Sequence, residues 1–176
     1  MNDPRLPKLV FFLMLALGLL QWAHAYRQLP NIMASHFAAN GTPNGFQTKQ
    51  AFFILMFVIL GTSVLVSFGV PRILASQPAD RINLPNKAYW LAPERRDETV
   101  TFFRSQMGWF GCAILFVLLY GTSLAINANL SPAHKFDSVG MLYAVIGFTL
   151  FTVIWCIFFI RHFYKIPPHS VGHPHS

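Results

Sequence analysis

Four long apolar runs dominate this chain: Leu9 to Ala25, Ala51 to Val70, Gly108 to Ile126 and Val139 to Ile160. A helix needs roughly 20 apolar residues to cross a hydrocarbon core, and each run meets or approaches that length. Hydrocarbon offers no partner for backbone N–H and C=O groups, so runs of this kind fold as helices that satisfy themselves. The rest of the composition agrees. Only 11% of residues are charged, against about 25% in a soluble domain, too few to coat a globule of this size. The expected fold class is all-α: an integral membrane four-helix bundle forming a single membrane domain over residues 1–176.

Lys and Arg sort by loop. Arg5 and Lys8 precede the first span, and Arg72, Arg81, Lys87, Arg95, Arg96 and Arg104 lie in the second loop. Arg161 and Lys165 follow the fourth span. Only Arg27, Lys49 and Lys135 fall in the first and third loops. The positive-inside rule then predicts both termini and the second loop (71–107) on the cytoplasmic side, and the first loop (26–50) outside. Arg5 and Lys8 ahead of an apolar stretch, with Ala23-His24-Ala25 after it, also match a secretory signal peptide. The length of the stretch favours retention as a span; cleavage would leave three helices and an outside N-terminus at Tyr26.

The net charge of +7 does not point to nucleic acid, because the cations flank apolar segments. That placement suits topology and anionic headgroups, and the lipid bilayer is the expected partner. Cys112 and Cys156 sit inside apolar runs and read as small buried hydrophobes. Ser63/Ser67, Gly121/Ala125 and Gly140/Ala144 are small-xxx-small pairs of the kind that lets membrane helices approach closely.

The outer loop is rich in turn formers, at Leu29-Pro30-Asn31, Asn40-Gly41 and Pro43-Asn44-Gly45, with Ile32 to Phe37 between them as a short extended piece. The inner loop carries Tyr89 and Trp90, which suit the aromatic belt at headgroup level. A helix is expected from about Pro93 into the third span, its start matched by Glu94, Asp97 and Glu98. The tail, 167–176, with three Pro and three His, is expected to be disordered.

Chemistry-bearing patterns are sparse. The second, third and fourth spans contain no Asp, Glu, Lys, Arg or His. That argues against ion-coupled transport and against intramembrane proteolysis by paired Asp or an HExxH helix. No phosphate-binding Gly-rich loop or nucleophile elbow is present, so neither an enzyme nor a cofactor is expected. His24, His36 and the tail histidines His169, His173 and His175 are the candidate metal ligands. Zinc needs three or four ligands, so no metal site is expected, and His36 is expected to hydrogen-bond its own folded loop. Glu94, Arg95 and Arg96 read either as a docking surface or as a solvated helix start.

The first loop carries Leu29-Pro30-x-Ile32-x-x-x-His36-Phe37-x-x-x-Gly41-x-Pro43-x-Gly45-x-x-x-Lys49 between two spans. This pattern resembles the domain of unknown function found in SdpI-type membrane proteins, over about Leu9 to Leu65. Ala38 stands where that family often has Asn, and Phe46 where it often has Trp. The stretch Asn83 to Arg96 resembles a motif of bacterial membrane proteins that carry the same domain. The resemblance implies a bacterial inner-membrane setting. It also implies a role of immunity or signalling type, recognising a peptide or a partner membrane protein. Its outer-loop residues would be His36, Phe37, Asn40, Gly41, Pro43, Gly45 and Lys49. Its inner-loop residues would be Asn86, Tyr89, Trp90, Glu94, Arg95 and Arg96. The alternatives are an accessory subunit of a larger membrane complex and a metal-binding membrane protein.

Overall fold

The structure, a computed structural model, describes residues 3–166; the expectations for the tail and its histidines lie outside the described residues. Four helices are long and apolar enough to cross a membrane: Arg5–Gln28, Lys49–Ser76, Arg96–Leu130 and Ser138–Tyr164. They contain the four apolar runs and extend beyond them. The chain order is α1 (Arg5–Gln28), β1 (Ile32–Phe37), β2 (Pro43–Thr48), α2 (Lys49–Val64), a π turn (Leu65–Gly69) and α3 (Val70–Ser76). A short α4 (Lys87–Trp90) follows, then α5 (Arg96–Leu130) and α6 (Ser138–Tyr164).

The hairpin corrects the all-α expectation. Residues 32–48 form a two-stranded antiparallel sheet, pairing Ile32 with Thr48 and Phe37 with Pro43. Ile32–Phe37 is the extended piece expected from sequence; Pro43–Thr48 is its partner strand.

Local chemistry sets the helix ends. Leu29, Gln77 and Ser131 close α1, α3 and α5 in extended conformation, and each precedes a proline, which disfavours a further helical residue. The Thr48 side chain accepts from the Ala51 N–H at the start of α2. Asp137 accepts from the Gly140 N–H at the start of α6. Pro71 stands at the start of α3, straight after the π turn. Proline has no N–H and its ring crowds the carbonyl four residues back, and the wider π turn absorbs that conflict without breaking the helix.

The helix α5 is the hub on which α1, α2, α3 and α6 all pack. Its seam with α1 runs through small residues in parallel order. Gly108 lies on Pro7, and Gly18 leaves room for Leu119. Near the far end, the Gln21 amide donates to the Ser123 hydroxyl at 2.8 Å. The Ser63/Ser67 pair is a packing face: Ser67 is buried against Gly111, where a Cβ would collide with its hydroxyl. Phe11, Trp22, Phe52, Phe53 and Leu115 fill the core among these helices. Outside it, each helix shows apolar side chains outward, among them Leu13, Ile54, Phe116 and Ile154, the surface that hydrocarbon requires.

The contacts group the ends. Hairpin and α5–α6 loop meet at one end through Phe37 and Phe136. The α3–α5 connector and the end of α6 meet at the other through Trp90 and Phe163. Arg27, Lys49 and Lys135 belong to the hairpin end, and the other ten Lys and Arg of the thirteen to the connector end.

Candidate functional site

The hairpin is bolted to the helices by its backbone. The Ala34 N–H donates to Asn129 Oδ1 at 2.7 Å, and Asn129 Nδ2 donates back to the Ala34 carbonyl at 2.9 Å. Asn129 Nδ2 also reaches the Ala125 carbonyl, at 2.8 Å. One buried amide on α5 therefore satisfies a strand residue on both sides. At the tip, Gly41 has φ +85°, and its carbonyl accepts from the Phe136 N–H at 2.9 Å. Any Cβ there would strike the Phe136 carbonyl, so glycine is needed both for the left-handed backbone and for the close approach. Asn40 Oδ1 takes the Thr42 N–H and hydroxyl, closing the turn. Phe37 stacks on Phe136 with centroids 4.7 Å apart.

Several of the loop residues picked out from sequence thus hold the hairpin in place. Lys49 does the same work at the other strand. Its ammonium donates to the Tyr26 and Leu29 carbonyls at 3.3 and 3.2 Å, and it lies over the Tyr26 ring. A cation on the last carbonyls of α1 suits the negative end of that helix. Pro43 pairs opposite Phe37 at the end of the ladder. Gly45 faces His36 across it, where a Cβ would sit 2.9 Å from His36 Cβ. His36 differs from expectation. It is exposed and makes no hydrogen bond among the described residues, its ring lying against Gly45 of the partner strand.

His36 lines a cleft of about 750 Å³. The hairpin segment Ser35–Ala39 roofs it. One wall is Phe52 and Met56 of α2; the floor is α5 from Val117 to Ala125; the other wall is Met141, Leu142 and Val145 of α6. The cleft lies where α2 and α6 both pack on α5 and not closely on each other. Its lining includes no carboxylate, lysine or arginine. The polar groups are the His36 ring and the hydroxyls of Ser35, Thr122 and Ser138. Ser35 Oγ is buried with no hydrogen-bond partner, and Thr122 turns its hydroxyl back to the Leu118 carbonyl at 2.7 Å. Such a lining suits an apolar segment that brings one or two hydrogen-bonding groups to the mouth.

At the opposite end the connector residues also face inward. Asn86, in left-handed conformation with φ 52°, donates to the Phe163 and Tyr164 carbonyls at 3.0 and 3.2 Å. The Trp90 indole N–H donates to the same Phe163 carbonyl at 3.0 Å. Trp90 is buried with Phe102 and Phe163, so it is an internal anchor for α6 and not the lipid-facing belt residue expected. The helix start also shifts: α5 begins at Arg96, while Pro93, Glu94 and Arg95 form the turn before it. Arg96 donates to the Ala75 and Gln77 carbonyls at the end of α3. Arg95 lies 4.1 Å from the centroid of the half-buried Tyr89 ring, while Glu94 is exposed.

His24 is exposed, with a ring nitrogen 2.7 Å from the Gln28 amide. Among the described residues no three His, Cys, Asp or Glu side chains gather as metal ligands. Asn129 and the cleft wall of α6 carried no motif. The one sequence signal for Asn129 was an amide just beyond the third apolar run.

Residues 9–61 match the family described as "Domain of unknown function (DUF1648)". The matched stretch runs from α1 through both strands into α2, and leaves α5 and α6 outside it. No curated protein and no solved structure matches the chain.

Proposed function

We propose that this chain is a non-enzymatic interaction protein of a bacterial inner membrane, with both termini cytoplasmic and the hairpin end outside. On this reading the cleft beneath the hairpin receives an apolar segment of a peptide or of a partner membrane protein, and His36 reads its polar end. The observation that carries it is the combination at one place: an apolar cleft between α2 and α6, roofed by a hairpin fastened through Asn129, with His36, which makes no hydrogen bond among the described residues, in its lining. The sorting of ten cations to the connector end supports the orientation. An immunity or signalling role of SdpI type fits a receptor of this shape.

The test is site-specific photo-crosslinking in native membranes from Leu142, which lines the cleft. A single adduct is expected, lost in His36→Ala and in Gly121→Leu, which fills the cleft toward Met141, and kept in Phe46→Ala, which changes a hairpin residue outside it. An adduct indifferent to both cleft variants overturns the reading.

A second reading has its own observation. None of the most apolar stretch of α6 is buried, and Ile146, Ile154 and Ile157 point outward. An accessory subunit would lay that face on a larger complex. Crosslinking from Ile146 to a partner that co-purifies in stoichiometric amount in mild detergent would favour it over the cleft.

A further inference from the structure

A second cleft, about 310 Å³, lies at the connector end. Four cations from three helices line it: Arg5 and Lys8 of α1, Arg72 of α3 and Arg104 of α5. No acidic side chain lines it. The nearest carboxylate in sequence, Asp3, accepts from the Arg5 backbone N–H, and Arg72 donates to the Phe68 carbonyl at 3.4 Å. Among the described residues none of the four cations is ion-paired. Four like charges converging on one opening repel each other, and an anion seated among them removes that cost.

The walls say which anion. Phe68 and Pro71 form the apolar side, and Phe68 stacks on Phe12 at 5.5 Å. Phe12 is 43% exposed, Leu9 67% and Leu65 59%, so an apolar surface runs from the cationic opening along α1 and the π turn. A soluble anion has no use for that surface, whereas an acyl chain does.

We propose that this cleft is a specific site for one anionic phospholipid. Its headgroup phosphate sits among Arg5, Lys8, Arg72 and Arg104, and its chain lies along Leu9, Phe12 and Leu65. Basic pockets between membrane helices recognise headgroups in this way.

Native mass spectrometry of the full chain tests it, with phosphatidylglycerol, phosphatidylcholine or inorganic phosphate added to mild detergent. One phosphatidylglycerol should be retained, and Arg72→Gln with Arg104→Gln should weaken retention about 25-fold, at roughly fivefold per cation near a membrane surface. Arg81→Gln with Lys87→Gln removes the same charge from the connector and should leave retention unchanged. Equal losses in both double variants would reduce the effect to diffuse charge and overturn the site. Equal retention of phosphatidylcholine would do the same, as would protection by inorganic phosphate matching that by the lipid. Should the cleft variant fail to fold, the wild-type melting temperature decides. It should rise with phosphatidylglycerol above its value in phosphatidylcholine, and an equal rise refutes the proposal.

Discussion

At the hairpin end, Asn129 on Ala34 and Lys49 on the Tyr26 and Leu29 carbonyls fasten a β-hairpin across the helix ends. At the connector end, Asn86, Trp90 and Arg96 fasten a turn to the last carbonyls of α6 and α3. Both ends use side chains to satisfy backbone groups that helix termini leave unpaired. They differ in what lies beneath. The connector closes on an aromatic cluster in which Phe102 stacks on His162 at 3.8 Å and Phe163 is buried. The hairpin bridges a cleft instead. The packed end of α6 is therefore its C-terminal end, and its N-terminal end lines the cleft. A bolt that seals and a bolt that spans can be built from the same hydrogen bonds; the packing below decides which one results.

Three substitutions would break or sharpen that contrast. The largest effect is expected from Gly41→Val. It forces a β-branched residue to φ +85° and drives its Cβ into the Phe136 carbonyl, costing about 3 kcal/mol of stability. Thermal unfolding in detergent should show a clearly lowered midpoint, and an unchanged midpoint would mean the tip is not fixed by this approach. Next is Asn129→Leu, which strands the Ala34 N–H and C=O in a buried setting at a cost of about 2 kcal/mol. Amide exchange at Ala34 should speed up while Trp90 keeps its protection; equal acceleration at both ends would show that the two joints are not separate. The smallest is Trp90→Phe. It keeps an aromatic ring in the cluster, and Asn86 still donates to the Phe163 carbonyl, so the loss should be about 1 kcal/mol or less in a denaturant titration. A loss exceeding that of Asn129→Leu would reverse the ranking of the two joints.

The spans were readable because hydrophobic length is a local property, but their ends were not: the helices run past the apolar runs to residues set by a following proline or by the Thr48 and Asp137 caps. The turn at Asn40-Gly41 was also local. What could not be read was reach across the chain. Asn129 acts on Ala34, 95 residues away, and nothing beside either residue announces the other. Trp90 looked like a belt residue because it forms an aromatic pair with Tyr89 in a loop beside a span, yet its indole N–H is consumed by a carbonyl 73 positions later. His36 stood out in the motif, but only the fold shows that it lines a cleft, while Gly45 and Lys49 of the same motif serve the scaffold. The cleft walls of α5 and α6 lie outside the motif because ordinary apolar residues line them.

The parallel seam between α1 and α5 bears on how the chain is made. Gln21 and Ser123 are 102 residues apart, and synthesis proceeds at roughly 5–20 residues per second. The first helix therefore waits on the order of 5–20 s before its partner leaves the ribosome. During that interval the face carrying Gly18 and Gln21 must be sheltered by lipid or by the insertion machinery. The seam between the first and third spans can close only after the third span has been made.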